Sequence, residues 1–90
     1  MPLQVELVSA EERLWSGEAS FVVARTTEGD IGVLPGHAPV LSVLAAGEVR
    51  IDGSGGAVTA SIEDGFLSIE NDRVLLVSET AQLTSGSPSA

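Results

Sequence analysis

Histidine, serine and the carboxylates are the side chains here that could turn over a substrate, and each is placed in a way that argues against it. His37 is the single histidine and lies in Pro35-Gly36-His37-Ala38-Pro39. Serines and aspartates are plentiful enough for a Ser-His-Asp relay, in which the imidazole takes the hydroxyl proton. No serine, however, occupies a Gly-x-Ser-x-Gly elbow between a strand and a helix, the turn that exposes a nucleophile. One imidazole with scattered carboxylates also lacks the ligand spacing of a metal centre. The pairs Glu11-Glu12 and Glu63-Asp64 are the candidates for acid/base work. Neighbouring residues on a strand point to opposite faces, so neither pair converges on a substrate, and solvated charge is the better reading. Gly53-Ser54-Gly55-Gly56 has the composition of a phosphate loop. Such loops draw their anion affinity from a following helix N-terminus, and an alternating strand pattern follows here, so a hairpin loop is expected. Trp15, alone beside a turn, reads as a plug in a core or interface rather than as a stacking platform.

Charge narrows the partners. Thirteen acids against four bases give ninety residues a formal net charge of −9, and all four bases are arginines. The missing lysine excludes a P-loop and every Schiff-base mechanism. It also excludes a biotinyl or lipoyl carrier domain, a similarly acidic β-sandwich that needs a lysine at a hairpin tip. Without a clustered basic face there is no footprint for nucleic acid, and anionic lipid would repel the chain. A protein surface that tolerates negative charge is the expected partner. A glycan- or small-ligand-binding β-sandwich is the alternative, but an aromatic content of 3% leaves few stacking platforms for it. There is no cysteine for a disulfide or thiolate metal site. The N-terminus lacks the basic and apolar regions of a signal peptide, and no apolar run approaches the roughly 20 residues of a membrane span. No cofactor is expected.

The elements that must position these residues read as strands. Leu3, Val5 and Leu7 alternate with Gln4 and Glu6, a period of two with one buried face. Phe21-Val22-Val23-Ala24 is apolar on both faces, as in a strand mid-sandwich or one that gives its second face to a partner. Val40 to Ala46 is apolar and too short for a helix. Val49 and Ile51, then Val58, Ala60 and Ile62, alternate across the Gly53–Gly56 loop, and Phe66 to Glu70 and Arg73 to Glu79 flank the turn Asn71-Asp72. Short strands broken by Gly, Asn and Asp turns indicate one all-β sandwich or barrel. Gln82 to Ala90 is rich in Ser, Thr, Gly and Pro and is expected to be a disordered tail behind a folded domain of residues 1–81.

The stretch Glu28-Gly29-Asp30-Ile31-Gly32-Val33-Leu34-Pro35-Gly36-His37-Ala38-Pro39-Val40-Leu41 is more specific than generic strand sequence. It resembles the signature of the epsilon subunits of F-type ATP synthases, and stretches at 7–17, 44–51 and 64–81 agree in order and spacing. The resemblance is strongest to the actinobacterial branch. It implies a flattened, ten-stranded β-sandwich at the foot of the central stalk, without catalytic residues, that binds the gamma subunit and the c-ring and turns with the rotor. It further implies ring contact through Glu28, Gly29 and Asp30, and gamma contact through Ser9, His37 and Ser42, although Ser9 and Ser42 read equally as exposed strand residues. Gly36 and Gly65 read as turn requirements. Membrane contact would come only through the complex, at the cytoplasmic face of a bacterial membrane. Such subunits usually continue into a C-terminal helical hairpin; this sequence stops in Thr84-Ser85-Gly86-Ser87-Pro88-Ser89-Ala90, so the hairpin's inhibitory and nucleotide-binding roles are not expected here.

Overall fold

The computed structural model describes residues 2–85, which form nine strands and no helix. They are β1 (Leu3–Val8), β2 (Arg13–Thr26), β3 (Gly29–Val33), β4 (Val40–Val43), β5 (Gly47–Gly53), β6 (Gly56–Ile62), β7 (Phe66–Glu70), β8 (Arg73–Val77) and β9 (Gln82–Ser85). Hydrogen bonding links them in the order β4-β7-β8-β1-β2-β5-β6-β9, with β3 beside the second half of β2. All pairings are antiparallel except β1 with β8.

The long β2 turns this ribbon into two layers. Its first half, Arg13 to Ala19, pairs with β1, whereas Phe21 to Val23 pair with β5 and Val22 to Thr26 with β3. The register to β5 slips between Ala19 and Phe21, a bulge of the kind that bends a strand. One layer is therefore β4-β7-β8-β1 with the start of β2, and the other is β3, the end of β2, β5, β6 and β9. Counted once in each layer, β2 makes up the difference between nine strands and ten. The alternating residues Leu3, Val5, Leu7, Leu67, Ile69, Val74 and Leu76 of the first layer meet Val22, Val33, Val49, Ile51, Val58 and Ile62 of the second in one buried cluster. The flattened shape, 30 × 30 × 19 Å, is that of two sheets packed face to face.

Two glycines make the packing possible. A Cβ on Gly53 would lie 2.9 Å from Cζ2 of the buried Trp15. A Cβ on Gly65 would lie 1.8 Å from the Val77 carbonyl oxygen, and its φ of +122° also disfavours any side chain. Gly65 accepts a hydrogen bond from the Leu44 amide, and the Leu44 chain bridges to Thr26, so the two layers are tied at this end.

One expectation needs correction. The tail was expected to begin at Gln82, but Gln82–Ser85 form β9 on the free edge of β6, with Leu83 packed against the core. The segment lacks an alternating apolar pattern because one leucine suffices where the partner strand supplies the rest. Residues 86–90 of the expected tail lie outside the described residues.

Candidate partner-binding surfaces

The motif acids come together at a hairpin tip. Thr27 and Glu28 form the two-residue connection between β2 and β3, and Gly29 and Asp30 open β3. All of these are exposed. Asp30 faces Arg25 across the hairpin, with Arg25 Nε 3.3 Å from Asp30 Oδ1. Both side chains are well over half exposed, so solvent screens the pair. Glu28 has no cationic partner among the described residues and is the free charge at the tip.

Ser9, His37 and Ser42 are not brought together. His37 closes the turn Leu34-Pro35-Gly36-His37 through its amide to the Leu34 carbonyl. That turn is clamped to the Asn71-Asp72 hairpin by a 2.7 Å bond from the Gly36 amide to Asp72 Oδ1. Asn71 and Asp72 hold φ of 50° and 60°, the double left-handed geometry of a type I′ turn. His37 Nδ1 donates to the Ala38 carbonyl at 2.7 Å, which fixes the ring against its own loop. Ser9 sits a whole strand away, past the far end of β1, where its amide donates to the Glu12 carbonyl. Ser42 stands opposite the buried Leu67 and is half-buried, so its side chain is on the core side of β4.

Between these residues lies a surface the motif reading missed. Leu41 and Val43 point away from the core and are 75% and 59% exposed. The register continues outward-facing apolar positions across the layer, from Val43 to Phe66, Val77 and Val8, and from Leu41 through Ser68 to Leu75. Phe66 and Leu75 are also exposed. Apolar strips of this kind mark protein contacts. The signal was present in Val40-Leu41-Ser42-Val43, which has apolar residues on both faces although only one can meet the core.

A shallow depression of about 590 Å³ lined by Gln4, Glu6, Ser68, Glu70, Arg73 and Leu75 adjoins the strip. Trp15 is buried, which removes it as a platform for sugar or base, and no group of three His, Cys, Asp or Glu residues suited to a metal occurs among the described residues.

Comparison with known proteins agrees with the two-layer topology. The profile of the ATP synthase delta/epsilon chain β-sandwich domain matches residues 2–84. The chain belongs to this family. Its relatives include the ATP synthase epsilon chain of Frankia casuarinae, 51% identical over 85 residues and covering 93% of this chain and 100% of that one. The epsilon chain of Streptomyces griseus is 55% identical over 82 residues, 90% of this chain and 66% of its own length. Among solved structures, a chain of the Euglena gracilis mitochondrial ATP synthase, in an assembly with F1 and the c-ring, superposes with a TM-score of 0.84 at 25% identity. That match covers 91% of this chain and 53% of the other. A chain from the central stalk and c-ring of the Tetrahymena thermophila enzyme shares the fold, with a TM-score of 0.75 at 14% identity over 89% of this chain and 65% of its own. Epsilon-family chains thus extend to different lengths beyond the sandwich.

Proposed function

We propose that this chain is a non-catalytic subunit of the central stalk of an F-type ATP synthase, joining gamma to the c-ring. The match of nearly the whole sandwich to ATP synthase epsilon chains carries this reading. In it, the apolar strip around Leu41, Val43, Phe66 and Leu75 receives gamma, with His37 and Ser9 at its two ends, and the Glu28-Gly29-Asp30 tip meets the polar loops of the c-ring. The cytoplasmic face of a bacterial membrane is the corresponding location, and no helix among the described residues is long and apolar enough to cross a membrane.

The mechanics follow from the connections between the surfaces. The Thr27 amide donates to the Val43 carbonyl at 3.0 Å, so the ring-facing tip and the gamma-facing strip share a hydrogen-bonded edge. Torque entering at the tip passes into β4 and across the sheet without traversing a flexible loop. The two layers share one buried apolar cluster, and interdigitated side chains of that kind resist shear. Proton-driven rotation of the ring would thereby reach gamma, and through it the catalytic sites elsewhere in the complex. No step of this requires the chain to bind nucleotide or metal.

The test is co-purification. Immobilised gamma retains the chain under this reading, and retention of detergent-solubilised c-ring then depends on the chain being present. Failure of gamma to retain it would overturn the proposal.

A further inference from the structure

The β2–β3 tip is closed differently from the Asn71-Asp72 hairpin. Two-residue hairpin loops match the twist of their strands when the loop residues adopt positive φ. Asn71 and Asp72 do so, but neither Thr27 nor Glu28 does; the positive φ falls one residue later, at Gly29, with φ +122°. The glycine at that place takes up the twist the loop residues do not, and the Thr26 side chain ties both ends of the loop together. Its hydroxyl donates to the Gly29 carbonyl at 2.7 Å and accepts from the Glu28 amide at 3.1 Å. Thr26 is 8% exposed, and its backbone bridges to Leu44, so the hydroxyl is held from the core side of the loop.

We infer that Thr26 is a positioning residue for ring attachment: its hydroxyl pre-forms the turn that presents Glu28 and Asp30. The inference rests on the reading of this tip as the ring contact. Ordering a loop on binding weakens affinity, and a tip already fixed escapes that loss. Arg25 acts beside it, lying over Gly47 and holding Asp30 from the neighbouring position.

The experiment compares Thr26→Val, which keeps the shape and removes the hydroxyl, with Thr26→Ser, which keeps the hydroxyl. The chain–gamma complex is titrated with detergent-solubilised c-ring, gamma affinity is measured separately, and exchange of the Glu28 amide is followed by NMR. Thr26→Val is expected to weaken ring attachment about tenfold, the scale of losing one or two neutral hydrogen bonds. It should also speed exchange at Glu28 and leave gamma affinity unchanged, while Thr26→Ser restores both properties. Wild-type ring attachment in Thr26→Val, or an equal loss of gamma affinity, overturns the inference. The double variant Glu28→Ala/Asp30→Ala separates the two levels. If it attaches as tightly as wild type, the reading of the tip itself fails; if it weakens attachment while Thr26→Val does not, only the role of Thr26 fails.

Discussion

Replacing Leu41 and Val43 by threonine strips the surface proposed to receive gamma of its apolar character without touching the core. Threonine is β-branched and keeps the strand preference, and valine to threonine preserves shape. Burying a leucine or valine side chain is worth about 1.5–3 kcal/mol, and these two are 75% and 59% exposed before any partner arrives. Most of that gain is therefore still available to gamma, roughly 1–1.5 kcal/mol for each position after the threonine methyl is discounted. The pair should cost about 2–3 kcal/mol of binding, a weakening of roughly 30- to 150-fold. Stability should move little, because exposed substitutions away from caps and cores usually stay within about 0.5 kcal/mol. The assay is a gamma titration by calorimetry beside urea unfolding of the isolated domain. Unchanged gamma affinity would refute the assignment of the strip, and a matching loss of stability would show that these residues pack at home rather than against a partner.

Gly65→Ala should destabilise the domain by about 3 kcal/mol or more, since the new methyl collides with the Val77 carbonyl and the residue keeps a positive φ; a fall in Tm of under ~5 °C would contradict this. Gly53→Ala pushes the Trp15 ring and should cost about 1–3 kcal/mol, with a change in tryptophan fluorescence as the second readout. Asp30→Arg sets two like charges opposite each other on the hairpin and should weaken ring attachment, with urea stability within about 0.5 kcal/mol of wild type; unfolding, or wild-type attachment, would contradict the assignment of Asp30.

Strand alternation made much of the fold legible. Leu3, Val5 and Leu7, then Val58, Ala60 and Ile62, are buried as their spacing requires, and Asn71-Asp72 turns as its residues predict. The sequence was silent or misleading where alternation does not track burial. In Val40-Leu41-Ser42-Val43 alternation alone would turn Leu41 and Val43 inward and the mixed Val40/Ser42 face outward; the register with β7 reveals the reverse. The bend in β2 depends on a bulge between Ala19 and Phe21 that no turn residue announces. β9 was missed because Gln82-Leu83-Thr84-Ser85 gains its order from the edge of β6 rather than from its own composition. For the surfaces, motif residues located the acidic tip, whereas the apolar strip is assembled by β1, β4 and the β7–β8 hairpin, three separate parts of the sequence, and needed the pairing to be seen.

The claim that this domain bridges two partners is tested most directly by a three-component sedimentation experiment with purified gamma, c-ring and this chain. The account predicts that gamma and the c-ring associate more tightly with the chain than without it. It further predicts that Leu41→Thr/Val43→Thr weakens the chain's hold on gamma, whereas Asp30→Arg leaves gamma bound and weakens attachment to the ring. Ring association indifferent to the chain, or a single surface whose loss abolishes both contacts, would contradict it.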